Sequence, residues 1–529
     1  MAEAIWLHLA WPYLAGLALS LGMEGLLVPR PLPPWSRPAC AVAVHLGLWT
    51  LVFALEMMLF RRPYFAMGNV LAIQGVIVLV SHAKYQALRE PFIFQDFEYF
   101  TDAIRHPRLY LPFFGAWRAL AALAGYGVAL WAGLSLERAM PAEPQISLWA
   151  FHVQMAVLAG AGYGTARLAG RALGASFDAT DDLRRLGMAG VLWAYGRAER
   201  ASVHALRQTA PFATQVRPPR VELASAKAGA PSESLPDLVV IQSESFFDVR
   251  RVYAQVRRDL LPNFDQLVRE SAWHGELRVG AWGANTVRSE FGFLTGLRPE
   301  ALGVHAYNPY RRLGRLGFPT IASHLRQMGY RTVCLHPYHR NFYRRDQVLP
   351  MLGFDHFIGL EAFAQARREG AYVSDAAVAQ HLLHLLRGSP DRPLYVHVIT
   401  MENHGPLHWE AVQESEAPLY LQEAIPSECR DLVAYARHLR NADHMFGVVR
   451  QALREPRTRP AALCLFGDHV PIMPAVYDRL GQVSGTTDYL VWSSNGRIHD
   501  ASPRTLHVAD LASTYLETMN IPSPPVSSG

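Results

Sequence analysis

The hydrophobic pattern divides the chain near residue 168. Before that point, five apolar stretches follow one another: approximately Trp11–Val28, Ala39–Phe60, Tyr64–His82, Phe113–Leu134 and Ile146–Leu168. Each comes close to the roughly 20 residues needed to cross the hydrocarbon core of a bilayer. No basic residue precedes the first stretch and no small-x-small pattern follows it before Pro29, so it reads as a retained span rather than a cleaved leader. Two spans carry a carboxylate, Glu24 and Glu56, expected to face the bundle interior or an interface.

After the last span the periodicity changes. Ala169–Ser202 reads as an amphipathic helix, with Leu183, Leu186, Met188, Leu192 and Trp193 set among charges. A linker rich in Pro, Ala and Ser runs over Pro211–Pro236. From Asp237 onward, short apolar runs alternate with helical stretches: Leu238–Ile241, Thr332–Leu335, Leu394–Ile399 and Ala462–Phe466. Continuous apolar runs between helices predict a buried, mainly parallel sheet covered on both faces. The expected organisation is a five-helix transmembrane domain over 1–168, an amphipathic connector and linker over 169–236, and an α/β domain over 237–529.

Composition supports this division. Of 529 residues, 50% are hydrophobic and 18% charged, against about 25% charged in an ordinary soluble protein. The net charge of +5 comes from dispersed arginines. With no zinc-finger spacing, RNA-binding signature or long basic tract, it fits a surface near anionic lipid and excludes nucleic acid as the expected partner. The cysteines Cys40, Cys334, Cys429 and Cys464 form no CxxC pair, which argues against a disulfide framework. Basic residues favour the first and third loops (Arg30, Arg37, Lys84, Arg89, Arg105, Arg108) over the second and fourth (Arg61, Arg62, Arg138). Taken literally, this bias puts the C-terminal domain in the cytoplasm. The third loop, Ala83–Pro112, has the mixed composition of a segment lying along the interface, where such counts lose meaning.

In an open α/β sheet, ligands gather beyond the carboxyl ends of the strands. The residues that follow the four apolar runs are Glu244, His336, Thr400-Met401-Glu402-Asn403-His404 and Asp468-His469. Four strands thus deliver metal-capable or proton-handling groups to one rim, and Glu244, Asp468 and His469 suit one divalent cation. The segment from Gly280 to Phe291 leads small residues into a helical pattern, with Thr286 at the expected N-cap. A threonine there either caps the helix or, with its hydroxyl against a cation and the positive helix end, attacks phosphorus.

At these positions the chain resembles the lipoteichoic acid synthase family of the alkaline phosphatase and sulfatase superfamily. Ile241-Gln242-Ser243-Glu244-Ser245 is similar to its first metal motif and Leu261-Pro262-Asn263-Phe264 to its TPN segment, with leucine in place of threonine. Asn285-Thr286-Val287-Arg288-Ser289-Glu290-Phe291, running on to Leu294-Thr295-Gly296, resembles the nucleophile block. Phe342-Tyr343-Arg344-Arg345-Asp346 and Leu352-Gly353-Phe354-Asp355 resemble a substrate-contacting block, and Phe466-Gly467-Asp468-His469 the last metal motif. Arg89-Glu90-Pro91-Phe92 followed by Asp96 is similar to the loop between spans.

The resemblance implies an alkaline-phosphatase-like, or sulfatase-like, catalytic domain facing the periplasm or the outside from a bacterial cytoplasmic membrane. It implies that Glu244, Thr286, Asp468 and His469 hold one manganese or magnesium ion, with zinc less favoured. His336, Tyr343, Arg345 and His404 would grip the phospho-alcohol group, with Thr286 as nucleophile and His404 transferring protons. An acidic contact expected two positions after His336 is Tyr338 instead. The expected activity is phosphoglycerol transfer from phosphatidylglycerol to an envelope glycan or polysaccharide. The alternatives are a phosphoethanolamine transferase, a phosphodiesterase, or an inactive envelope sensor.

Overall fold

A computed structural model describes residues 2–98, 116–141, 147–213, 235–388, 391–496 and 502–523. The chain forms two compact units, Met1–Ala201 and Ser202–Gly529. In the first unit the long helices are α1 (Ala2–Met23), α2 (Ala39–Phe60), α3 (Pro63–Leu88), α4 (Ala116–Leu136), α5 (Leu148–Ala169) and α6 (Ala179–Ala198). Helices therefore occupy the places of all five apolar stretches. Two of them, α2 and α3, are long and apolar enough to cross a bilayer by length and composition. Phe113 and Ile146, where two spans were placed to begin, lie outside the described residues, as do Arg105, Arg108, the end of the third loop and residues 214–234 of the linker.

Helices α2 and α5 approach through glycine. A Cβ on Gly47 would meet the Gly162 carbonyl oxygen at 2.7 Å, and one on Gly162 would meet that of Gly47 at 2.7 Å. Small residues at such crossings let backbones touch. Both span carboxylates are partnered within this unit. Glu24 is fully buried, pairs with Arg37 and accepts from the Met188 amide (2.9 Å), while Glu56 accepts from Asn69 (2.8 Å).

The second unit is built on an eight-stranded sheet. The strands are β1 (Asp237–Ser243), β2 (Trp273–Arg278), β3 (Arg331–Leu335), β4 (His356–Ile358), β7 (Leu394–Ile399), β8 (Ala461–Gly467), β9 (Thr487–Ser493) and β10 (Leu506–His507), in the order β10-β2-β9-β8-β1-β7-β3-β4. A separate two-stranded hairpin pairs β5 (Arg368–Glu369) with β6 (Tyr372–Val373). Pairing is parallel from β8 through β1, β7 and β3 to β4, and antiparallel on both sides of β9. All four predicted apolar runs are strands of its parallel part.

Every residue of β1, β7 and β8 is buried. Their side chains alternate between two cores: Val239 and Ile241 enter one, Leu238 and Val240 the other. The first core is closed by helices α9 (Asp375–Arg387) and α10 (Asp431–Arg454), the second by α8 (Thr286–Thr295) and α11 (Val508–Thr518). Each large apolar side chain so buried contributes about 1.5–3 kcal/mol, which is why these central strands read as unbroken apolar runs rather than as an alternating pattern.

Candidate active site

Register assembles the metal-capable groups. Gln242 of β1 stands beside Ile399 of β7, and Ser243 beside Gly467 of β8. Continuing this register past the strand ends, Glu244 is level with Asp468, and Thr400 stands one residue earlier, beside Ser243. The Glu244 amide donates to the Thr400 hydroxyl (3.0 Å), and the Ser245 amide to Asp468 Oδ1 (2.8 Å). Gly467 is required by close approach, since a Cβ there would sit 1.8 Å from the Phe246 carbonyl oxygen.

Glu244, Asp468 and His469 each place a ligand atom within 4.8 Å of the others, and all three are buried. Among the described residues Asp468 Oδ2 and His469 Nε2 have no hydrogen-bond partner, although His469 Nε2 lies 3.4 Å from Glu244 Oε1 and 3.7 Å from Asp468 Oδ2. Buried polar atoms without partners are rare in folded proteins, because the lost hydration goes unreplaced. The Glu244 carboxyl is pushed up to about 8 by burial and by the neighbouring Asp468 charge. Two crowded carboxylates and an imidazole nitrogen without a hydrogen bond, all buried, are the donor set that one divalent cation would satisfy.

Thr286 opens helix α8 as its first residue. The N-cap position belongs to Asn285, whose φ of 66° lies in the left-handed region that asparagine tolerates. This shifts the sequence reading by one residue. The threonine does not cap the helix, and its hydroxyl makes no hydrogen bond among the described residues, although the side chain is buried. One turn on, Ser289 donates to the Asp468 carbonyl (2.6 Å), which holds the first turn of α8 against the metal loop.

Three of the residues expected to contact substrate, His336, Tyr343 and Arg345, gather around a buried ion pair. Arg345 bonds Glu290 through Nε (3.3 Å) and Nη2 (2.6 Å), and its Nη1 lies 3.1 Å from His336 Nε2. Arginine only donates, so His336 Nε2 accepts and Nδ1–H donates to the Ile399 carbonyl (3.2 Å). Both nitrogens of His336 are thus engaged within the protein, and burial together with the Arg345 charge holds the ring well below its usual range, hence neutral. Three of the five N–H groups of Arg345 are used, leaving two without a partner among the described residues. Tyr343 is half-buried with the Arg345 guanidinium 5.3 Å from its ring centre. Tyr343 and Arg344 are consecutive left-handed residues at φ 52° and 55°, strained backbone of the kind that persists where its surroundings impose it.

His404 is half-buried, with Nδ1 2.8 Å from the Gly405 carbonyl and 3.2 Å from the Tyr372 hydroxyl. Burial lowers its pKa, so the ring is neutral near pH 7. Glu402, two residues before it, accepts from the Asp375 amide (2.6 Å) and Asn441 (2.6 Å).

His438 lies between Glu402 (3.1 Å) and Glu410 (2.8 Å). Burial opposes its charge, but the two carboxylates prevail and push it up to about 9. A histidine raised in the folded state stabilises fully below its ordinary pKa of 6.5 and loses that contribution as pH rises through about 9. The expected loss is ~3 kcal/mol. Thermal melts from pH 6.5 to about 9 are expected to fall more steeply for the wild type than for His438→Gln, and equal slopes would refute the charged bridge.

Several site groups escaped the sequence reading. Ser245 lies 3.0 Å from Glu244 Oε1 and 3.3 Å from His469 Nδ1, and Tyr310 donates to Glu290 (2.5 Å). For Glu290 one signal was available: it falls four residues after Thr286, hence on the same helix face. For Tyr310 and Tyr372 there was none.

A capsular polysaccharide biosynthesis protein of Rhizobium meliloti, RkpI, is 31% identical over 261 residues, 49% of this chain and 45% of that protein. A second Rhizobium meliloti protein, named for cyclic beta-1,2-glucan modification, is 27% identical over 51% of this chain and 41% of its own length. The chain thus spans less than half of each of these relatives. Among solved structures, the Streptococcus pyogenes phosphoglycerol transferase GacH in complex with sn-glycerol-1-phosphate is 24% identical, with 54% of this chain and 75% of that chain covered and a TM-score of 0.45. The Sulfatase family matches residues 236–521, over half of the chain and all of the described sheet, and this protein belongs to that family.

Proposed function

We propose that this chain is a membrane-bound phosphoglycerol transferase, moving glycerol phosphate from phosphatidylglycerol to an envelope glycan through a phosphothreonine at Thr286. The observation that carries the reading is the buried Glu244–Asp468–His469 cluster with two ligand atoms that lack a hydrogen bond among the described residues, against which Ser289 holds the helix that Thr286 begins. A five-span domain over 1–168 would anchor the enzyme in a bacterial cytoplasmic membrane, the 169–236 connector would lead out of it, and the 237–529 domain would face the periplasm or the outside. The two apolar helices α2 and α3 support the anchor. The relatives named for capsular polysaccharide and cyclic glucan support a glycan acceptor. Four free cysteines favour this reading over the disulfide-bearing phosphoethanolamine transferases, and threonine at 286 argues against sulfate-ester hydrolysis.

A divalent cation, manganese or magnesium, held by Glu244, Thr286, Asp468 and His469 would acidify the threonine hydroxyl and offset charge on the phosphoryl oxygens. The remaining work falls to side chains. Thr286 Oγ1 forms a bond to phosphorus as the bond to the diacylglycerol oxygen breaks, and the threonine proton passes by way of His404 to that departing oxygen. In the second half, the acceptor hydroxyl gives its proton to His404 and attacks phosphorus. The bond to Thr286 breaks and the proton returns to it. Arg345, propped by His336 and Glu290, binds the phosphoryl oxygens, and Tyr343 stacks on the glycerol.

The test is purified protein with manganese and labelled phospholipids. Diacylglycerol is expected from phosphatidylglycerol and none from phosphatidylethanolamine, and chelation should abolish it. Release from phosphatidylethanolamine alone would overturn the donor. Full activity after exhaustive chelation would overturn the metal mechanism.

A further inference from the structure

We infer that Tyr372 is a positioning residue that holds His404 in one tautomer, with Nδ1 protonated and Nε2 left free to accept the reacting proton. The inference rests on His404 being the proton carrier.

Three oxygen and nitrogen atoms meet at one point. His404 Nδ1 lies 2.8 Å from the Gly405 carbonyl oxygen and 3.2 Å from the Tyr372 hydroxyl, and that hydroxyl donates to the same carbonyl at 3.2 Å. A carbonyl oxygen only accepts, so the atom at 2.8 Å must be an N–H. With the Tyr372 proton spent on the carbonyl, the phenol oxygen offers its lone pair to Nδ1–H as well. A neutral ring protonated at Nδ1 is unprotonated at Nε2, and Nε2 has no hydrogen bond among the described residues. Burial pushes the phenol's pKa upward, so it stays protonated near neutral pH. When Nε2 takes a proton, the two oxygens facing Nδ1–H stabilise the imidazolium. That is the role a hydrogen-bonded partner commonly plays for a catalytic histidine.

The hairpin explains why a tyrosine stands there. β5 and β6 pair Glu369 with Tyr372 across a turn at Gly370, whose φ is +57°. The Tyr372 ring packs 5.4 Å from His404 and 6.2 Å from Tyr338, whose own ring lies 6.2 Å from His336. A continuous aromatic wall therefore joins the two site histidines, and Tyr338, standing where an acidic residue was expected, is part of it. Rings fix the position of the phenol oxygen, and the hydroxyl, as a second acceptor facing Nδ1–H, reinforces the tautomer that the Gly405 carbonyl sets.

Tyr372→Phe keeps the wall and deletes the hydroxyl. The expected result is a fall in kcat of about tenfold, with KM and the thermal midpoint unchanged. In a His404→Ala background the same substitution should cost nothing further, because there is no tautomer left to select. Wild-type kcat for Tyr372→Phe beside a crippled His404→Ala overturns the inference. So does an equal loss in both backgrounds, which marks a merely structural contact. Wild-type activity for His404→Ala instead removes the proton-carrier reading beneath it. If Tyr372→Phe melts early, Tyr372→Trp tests the wall without a phenol: restored stability with low kcat supports the hydroxyl's role, and restored kcat refutes it.

Discussion

Thr286→Ala is expected to eliminate turnover while leaving the fold and the ligand cluster in place. Alanine is the best helix former, so the first turn of α8 should persist. The threonine hydroxyl makes no hydrogen bond that its removal would orphan among the described residues. Nothing nearby can replace it: Ser289 is committed to the Asp468 carbonyl, and Ser245 lies against Glu244 and His469. Losing a nucleophile typically costs on the order of 10⁴–10⁶ in rate. Thr286→Ser, which keeps the oxygen, should retain measurable transfer. Acid-quenched reactions with phosphate-labelled donor should trap label on the wild type and none on the alanine variant. Turnover by Thr286→Ala near the wild-type rate would end the case for a covalent intermediate.

The second large effect belongs to the Glu290–Arg345 pair. Both side chains are almost wholly inaccessible, 0% and 1% exposed. Burial alone would weaken the guanidinium as a cation, yet Glu290 holds its pKa above the ordinary arginine value. Arg345→Met would leave the Glu290 carboxylate buried with only Tyr310 and should cost about 3–5 kcal/mol of stability. It should also lower turnover on the order of 10²–10³-fold, as loss of a charge-stabilising donor does. Glu290→Met added to Arg345→Met should recover most of the stability, since an apolar pair of similar volume replaces the ions without the cost of their dehydration. Turnover should not return. Thermal melts and diacylglycerol release on the single and double variants separate the two roles. Recovery of activity in the double variant would show that Arg345 serves the fold and not the phosphoryl group.

How much of this was legible in the sequence follows the range of each interaction. The four apolar runs named their strands because burial on both faces demands unbroken apolar character. The residues just beyond them, Glu244, His336, His404 and Asp468-His469, followed from the rule that ligands collect at strand ends. In the first unit, the stretches that became α2 and α3 carry a length and apolarity that any window reveals.

The sequence by itself determined four strands of the parallel part of the sheet and the metal-capable cluster, since each depends on local composition or on the order of residues within one element, whereas the structure divides the chain at Ala201 and not near residue 168. Only the tertiary structure decided that His336 has both nitrogens engaged, that Glu290 rather than solvent faces Arg345, that Asn285 takes the cap and frees the Thr286 hydroxyl, and that a hairpin brings Tyr372 to His404. These depend on partners between 9 and 63 residues apart or on a backbone angle at one residue. Hydrogen-bond direction is decided by which donor arrives opposite which acceptor, and that is a property of the packed chain.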